Sequence, residues 1–525
     1  MTKIRQLHSS RRFWWPEDGR RESLPLEWRR SDGTALLTQL EARGVKVPGP
    51  LKTVLTRQIG ATVRALGLAD RLFVTFALPS GGCPGQTANQ LNYSSGRAAA
   101  SDAIDAAVGH LENLGFTRVL RLASAISAAG SVELVTNFLN VSLSLQYAGT
   151  VSSKSETLDE DEPLDEHRLF IAPPELVVHC PEDSGLEFAA FSPPAQLAHE
   201  MRSPPSVSYY SPAPTEIAKL LKVPSGLTGE GVTVAIVDTG FYRHRCFKGY
   251  SYHPVPTSDE PDADIDDRGH GTAMAWNIFA VAPKAKILGY KFGVWTPEYR
   301  PFQAAVDSGA HVICCSWGYL EANENAYETS LKPEIRRAIE KGIIVIFAAG
   351  NRSRASVLHN VATENSWPAS MPEVISVGGI HADTKGNLHK SDLSHEFNSI
   401  NYPGRAVPDV CGLCGTAPYG IYFVLPTQPR SERDKARPGR PHPDYDETKK
   451  DDGWWGGSGT SSATAQIAGA AALLIQAARQ KGCRHLVNQQ YIKQVLCASK
   501  RIVPQTLTGI SHLLADVEAS VNNIP

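Results

Sequence analysis

From Thr215 onward, short apolar runs alternate with segments of helical periodicity, and that alternation leaves few folds open. The runs Val232–Val237, Lys286–Tyr290, His311–Ser316, Ile343–Ala348 and Val374–Val377 are predominantly apolar, without the polar alternation of a half-exposed strand. They read as strands buried on both faces. Thr272–Ala280, Pro301–Ser308, Lys332–Lys341 and Ser462–Gln480 read as helices that supply the crossovers a parallel sheet needs. The expected architecture is α/β, a parallel sheet with helices on both faces.

A chain of 525 residues exceeds one ordinary domain. Residues 1–60 are rich in Arg and Trp with little periodicity and are left as an unassigned arm. Leu72–Leu78 reads as a strand, Arg97–Leu114 as a helix with Ile104, Val108 and Leu111 on one face, and Phe116–Ile126 as extended. A short helix at Ser131–Leu139 and a strand at Val141–Tyr147 follow. These elements predict a small α+β (ferredoxin-like) domain within 61–180. The acidic stretch 156–166 reads as a solvated loop. Pro204, Pro205, Pro212 and Pro214 break regular structure, so 181–214 is expected to be a Pro-rich linker, with the large domain at 215–525. Within that domain Gly415–Trp455 is polar, Pro-rich and charged, and reads as an insertion near the active site that could gate it.

Lys+Arg 52 against Asp+Glu 54 gives no electrostatic reason to expect nucleic acid or a membrane as partner. No apolar run reaches spanning length, and no apolar h-region follows the basic start. Nine cysteines, with Cys314 and Cys315 adjacent, suit a disulfide framework poorly and fit a reducing, cytoplasmic compartment. The Cys411/Cys414 pair is expected to be two core thiols. Two acidic clusters stand out: Asp259, Glu260, Asp262, Asp264, Asp266 and Asp267, then Asp444, Asp446, Glu447, Asp451 and Asp452. The first lacks the glycine and distal glutamate of an EF-hand loop, so solvated loops are expected rather than calcium sites, and no cofactor is expected.

In α/β folds the working groups gather at the carboxyl ends of strands. Four segments place polar residues there: Asp238 at the tip of Ala235–Gly240, His270 opening a helix in Gly269–Thr272, Asn351 ending Phe347–Asn351, and Ser461 opening a helix in Gly459–Ala463. A serine hydroxyl needs an adjacent base to become a nucleophile, and histidine has the right pKa for that task. A buried carboxylate on the other ring nitrogen fixes the tautomer. The Asn351 side chain and the Ser461 backbone N–H would bind a developing oxyanion. Gly269, Gly271 and Gly459 are expected to let backbone approach substrate, and Gly240 to permit a turn.

The segments AIVDTG, GHGTAMA, CSWGY, VIFAAGN, WPASMPEVISVGG and GTSSATAQIAG resemble the motif series of the subtilase family of serine peptidases, over roughly Thr215 to the C-terminus. The resemblance implies a subtilisin-like serine endopeptidase with Asp238, His270 and Ser461 as triad and Asn351 as oxyanion donor. It implies that Ser316, Trp317 and Gly318 form an edge that pairs with extended polypeptide substrate, while Ala348, Ala349 and Gly350 wall the pocket for the residue before the cut. Ser462 and Ala465 depart from the family's Met and Pro, and Ser462 could cap the helix. The N-terminal unit resembles subtilase and sedolisin prodomains, implying an intramolecular inhibitor; the competing reading is a permanent regulatory or partner-binding domain. The rival function is a catalytically silent pseudo-protease that binds peptide without cutting.

Overall fold

The apolar runs pair into one ten-stranded sheet. The computed structural model describes residues 33–49, 51–52, 71–79, 101–148, 169–195, 214–293, 296–352, 365–382, 385–415, 423–434, 448, 451–457, 459–502 and 513–525. Across the sheet lie Lys500–Ile502, Leu513–Ala515, Val410–Leu413, Ile375–Ala382, Ile344–Ala348, Val312–Cys315, Thr233–Asp238, Lys286–Lys291 and Tyr252–Pro254. Leu388–Lys390 pairs off Ile375–Ala382. From Leu513–Ala515 to Tyr252–Pro254 every neighbouring pair is parallel. Successive strand residues face opposite sides, so Val234 and Ile236 enter one core while Ala235 and Val237 enter the other.

Helices His270–Val281, Thr460–Gln480 and Gln489–Ala498 cover the first face; Tyr299–Asp307 and Leu331–Glu340 cover the second. The chain adds strands outward on both sides of Thr233–Asp238, which lies between Lys286–Lys291 and Val312–Cys315. That strand is therefore the switch point of the sheet, where a crevice opens beyond the carboxyl ends. Strands Tyr252–Pro254, Leu513–Ala515, Lys500–Ile502 and Val410–Leu413 had not been expected. At three or four residues each, they are too short for a period to register.

Helices His270–Val281 and Thr460–Gln480 lie almost wholly inside. They meet closely because Gly469 has no side chain: a Cβ there would stand 2.9 Å from Val281 Cβ and 3.0 Å from Ile278 O. A polar bridge joins them. Asn277 Nδ2 donates to Ser462 Oγ at 3.4 Å, and Gln466 Nε2 donates to Asn277 Oδ1 at 3.1 Å. Ser462 thus bonds to the neighbouring helix instead of capping its own, whose N-cap Gly459 offers no side-chain bond.

In the N-terminal unit the sheet runs Thr117–Arg121, Ala125–Gly130, Leu72–Ala77, Phe188–Ala190, Val177–His179, all antiparallel. The first four strands have the order of a split β-α-β unit. Helices Ser101–Asn113 and Val132–Leu139 send Ala107, Leu111, Val132 and Val135 into the same core as Val74, Phe76 and Ile126. Three expectations need correction. The strand near Val141–Tyr147 forms at Ser144–Tyr147 but pairs with Leu169–Ala172 in a separate ribbon. Its expected place beside Leu72–Ala77 is taken by Phe188–Ala190, so the supposed linker from 181 contains a strand of this sheet. Leu37 and Leu40 of helix Gly33–Ala42 also join its core, so part of the supposed arm belongs to the unit. The acidic stretch 156–166, and Pro204, Pro205 and Pro212 of the linker, lie outside the described residues.

The face of this sheet opposite its helices rests on the large domain. Thr75 Oγ1 donates to Tyr299 OH at 3.1 Å, and Arg300 Nη1 donates to Ser127 Oγ at 2.9 Å. Arg300 is buried and paired with Asp259 at 2.7 Å, and Glu334 Oε1 accepts from Ala123 N at 2.7 Å.

The Gly469 contact sets two effects against each other. Alanine is the better helix former by about 1 kcal/mol, yet its Cβ has no room. Gly469→Ala is expected to lower stability, read as a reduced urea midpoint at unchanged slope; a raised midpoint would mean that the helices can part without cost.

Candidate active site

Asp238 is the last residue of its strand, the first point at which the apolar run can end in a charge. Its carboxylate is fully buried. Oδ1 accepts from His270 Nδ1 at 2.7 Å and from Thr239 N at 2.8 Å, while Oδ2 is buried without a hydrogen-bond partner. A carboxylate cannot donate, so Nδ1 carries the imidazole proton and Nε2 is left as the acceptor.

His270 is the first residue of its helix, after Gly269 at φ +76°. Its approach to Asp238 is organised by Asp266, which sequence reasoning had placed in a solvated acidic cluster. Asp266 is fully buried and accepts four hydrogen bonds: from Gly269 N, Thr272 N, Thr272 Oγ1 and Thr239 Oγ1, all at 2.6–2.9 Å. It thereby ties the His270 turn to the residue after Asp238. Burial pushes its carboxyl up, against the pull of the Thr272 and Thr239 donors. Three other acids of that cluster have separate partners: Asp259 pairs with Arg300 and Arg118, Asp264 with Arg243, and Glu260 accepts from Thr296 Oγ1 at 2.5 Å. Asp444, Asp446 and Glu447 lie outside the described residues. Gly240 takes the positive φ of the expected turn, +147°, and with Gly271 it also serves a close contact. A Cβ on Gly271 would fall 2.3 Å from Gly240 O, and one on Gly240 2.2 Å from Ile265 O. These glycines let the Asp238 and His270 loops touch each other.

Ser461 is the second residue of helix Thr460–Gln480. Its backbone N–H belongs to the first turn, where no intrahelical acceptor exists. Its hydroxyl donates to Ser316 O at 3.1 Å, and Ser316 Oγ donates to Ser461 O at 3.1 Å. Asn351 Oδ1 accepts from Thr460 N at 2.8 Å and Thr460 Oγ1 at 2.9 Å. Fixing Oδ1 in this way turns the amide Nδ2 in the opposite direction, where it has no partner among the described residues.

Asn351, Ser461, Ser316 and Gly318 line one pocket, together with Ala348 and Gly350. Trp317 contributes to the lining but its indole lies in the core, donating to Val237 O at 2.6 Å and meeting Phe347 edge to face. Ala349 is not at the pocket, contrary to expectation; it packs with Ala369, Phe397 and Val407. Ser366, which joins the strand pair Tyr319–Leu320 with Ser366–Trp367, closes the pocket. His395, not expected here, stands beside it. Burial pushes the His395 imidazole down to about 4, with Arg352 adding to the effect, so it is neutral at pH 7.

No described residue of the insertion lines this pocket. Phe423–Pro426 and Trp454–Gly457 form an antiparallel pair, and residues 427–434 lie against the turn before His270. Cys411 and Cys414 are both buried. No helix among the described residues is long and apolar enough to cross a membrane.

Asp238 and His270 meet at the carboxyl end of a strand in the parallel sheet, and Ser461 lies in the first turn of a helix beside the Asn351 amide. The chain belongs to the subtilase family, whose family model matches residues 229–512. A subtilisin-like protease of Coccidioides posadasii is 30% identical over 204 residues, covering 35% of this chain and 48% of its own length. Subtilisin BL of Lederbergia lenta is 26% identical over 222 residues, covering 36% of this chain and 76% of its own. Among solved structures, fervidolysin from Fervidobacterium pennivorans, a keratinolytic enzyme related to subtilisin, superposes with a TM-score of 0.53. At 16% identity over 88% of this chain and 62% of that one, the likeness is one of fold.

Asp266→Asn keeps the shape but turns one acceptor into a donor facing donors. It is expected to destabilise the protein by about 1–3 kcal/mol, measured by denaturant unfolding; a variant as stable as the parent would show that those four bonds do not organise the turn.

Proposed function

We propose that the chain is a serine endopeptidase that cuts extended polypeptide segments through an acyl-enzyme. The buried Asp238–His270 bond supports this reading, because it leaves Nε2 as the base that would serve Ser461. In the reaction, Ser461 Oγ attacks the scissile carbonyl carbon as its proton passes to His270 Nε2. Asp238 orients the imidazole and stabilises its cation. Asn351 Nδ2 and Ser461 N–H receive the oxyanion. Collapse breaks the C–N bond, and His270 returns the proton to the leaving amine; water then repeats the sequence and frees Ser461. The substrate backbone would add as a strand along Ser316–Gly318, which requires an unfolded or loop segment.

The intact set of four groups favours an enzyme over a silent peptide binder. A fluorophosphonate probe is expected to label the protein, with labelling abolished in Ser461→Ala. Labelling that survives the substitution would remove Ser461 as the nucleophile. Asn351→Leu is expected to lower kcat about 10²–10³-fold, the loss recorded for the equivalent donor of subtilisin itself, with KM little changed.

For the residue before the cut, Ser366 and neutral His395 present polarity without charge, and no carboxylate among the described residues lines the pocket. Neutral or acidic side chains should be preferred and Lys or Arg disfavoured. A peptide library is the check, and dominant cleavage after Arg would overturn this preference.

The N-terminal unit would act as an intramolecular inhibitor. The last described residues before Pro214 support this. Ala195 N donates to Glu298 Oε1 at 2.8 Å, and Glu298 Oε2 accepts from Tyr319 OH at 2.8 Å. The chain thus leaves the unit beside the pocket-lining segment. N-terminal sequencing of active protein tests removal: a start between 148 and 215 means a propeptide, whereas an intact N-terminus favours a permanent domain.

A further inference from the structure

We propose that the insertion between Phe423–Pro426 and Trp454–Gly457 is a positioning element for His270, with Thr427 and Gln428 as its principal positioning residues. The proposal rests on the reading of His270 as general base. Its observation is the hydrogen bonding of the four residues before that histidine. Asp266 N donates to Gln428 Oε1 at 2.8 Å, and Glu432 N donates to Asp267 O at 2.8 Å. Arg433 Nη1 donates to Arg268 O at 3.1 Å, and Thr427 Oγ1 donates to Gly269 O at 3.1 Å. Each of these residues therefore gives one backbone group to the insertion.

A surface turn ordinarily leaves such groups to water, and its position then follows its own fluctuations. Here a segment more than 150 residues later in the chain supplies the partners. Contact is close enough to exclude any side chain: a Cβ on Gly269 would lie 1.8 Å from Thr427 Oγ1 and 2.6 Å from Ser431 Oγ. Gly269 also needs its left-handed backbone, so both constraints meet at the residue directly before the imidazole.

The insertion is itself braced. Buried Asp434 accepts from Arg430 N at 2.7 Å and Gly453 N at 3.2 Å, joining its outgoing and returning limbs. Thr427 N donates to Gly453 O at 2.8 Å, and the Arg433 guanidinium lies over the Trp455 ring at 4.9 Å. On the returning limb, Trp454 meets the His244 ring edge to face at 4.8 Å, on the loop that follows Asp238. One element thereby grips the loops of both the carboxylate and the imidazole, while none of its described residues joins the pocket lining.

General-base catalysis depends on such placement, since an error of about 1 Å can cost about 10²-fold in rate. In the full chain, Thr427→Val with Gln428→Met removes the donor to Gly269 and the acceptor for Asp266. We expect kcat on a peptide substrate to fall by about 10-fold to 10²-fold with KM nearly unchanged, and the acid limb of the kcat–pH profile to move. Thr427→Ser, which keeps the hydroxyl, should hold most of the activity. The same pair of substitutions in a Ser461→Ala background should raise amide hydrogen exchange across residues 262–272, a readout that needs no catalysis. Should the double variant fail to fold, Thr427→Val alone carries the comparison with Thr427→Ser. A folded variant with parental kcat and parental exchange overturns the proposal, as does a loss confined to KM. If the parent protein cuts no peptide, the endopeptidase reading fails, while the exchange experiment still decides whether the insertion holds the turn.

Discussion

The bond from His270 Nδ1 to Asp238 Oδ1 is the constraint around which the large domain is arranged. A carboxylate taken out of water loses several kcal/mol of solvation, which only close partners offset. A strand buried on both faces cannot hold such a charge along its length, so Asp238 stands at the strand's end. There Thr239 N and the imidazole supply donors, and the imidazole must come from another element. That requirement explains the crowding nearby. Asp266 draws the His270 turn onto Thr239, and glycines at 240 and 271 remove the side chains that would hold the loops apart. A second buried acid within this small volume is tolerable because four donors point at it.

The parallel sheet was legible because burial on both faces writes itself into the sequence as apolar runs. Asp238 ends its strand and His270 opens its helix as expected, whereas Ser461 stands one residue into its helix and Asn351 three residues beyond its strand. What escaped was every relation between segments distant in sequence. Asp266 sat among other acids and looked solvated; only the donors on Thr239 and Thr272 distinguish it from Asp264, which pairs with Arg243 at the surface. Ala349 was assigned to the pocket with its neighbours, although strand geometry turns alternate residues to opposite sides. His395 carried no local signal, because what brings it to the pocket is the loop that joins Gly350 to it through His395 N and Gly350 O. Phe188–Ala190 was read as linker because three residues give no period, and its strand identity comes wholly from pairing with Leu72–Ala77.

The departure at Ser462 belongs to the contact between the two buried helices. With Ser462 the helix carrying the nucleophile gains a polar group that cannot be left alone in the core. Asn277 and Gln466 answer it, and Gln466 reaches on to Leu413 N at 2.8 Å and Leu413 O at 3.3 Å. The hydroxyl thus links the histidine helix, the serine helix and a sheet strand. Directional bonds of this kind resist sliding, which apolar packing alone does weakly. Substituting one member without the others would leave buried polar atoms unpaired, so Ser462, Asn277 and Gln466 should be regarded as one unit.

The reciprocal bonds between Ser316 and Ser461 connect the nucleophile to the edge proposed to receive substrate. In the unliganded geometry the Ser461 hydroxyl spends its proton on Ser316 O, and among the described residues His270 Nε2 has no partner. On the proposed roles, reaction requires that hydroxyl to turn from a carbonyl acceptor to an imidazole acceptor. The exchange replaces one neutral hydrogen bond by another, each worth about 0.5–1.5 kcal/mol net, so the hydroxyl can turn at little cost. The imidazole has no such latitude, being held by Asp238 within and by its turn from behind. The burden of alignment therefore falls on the elements that fix the histidine.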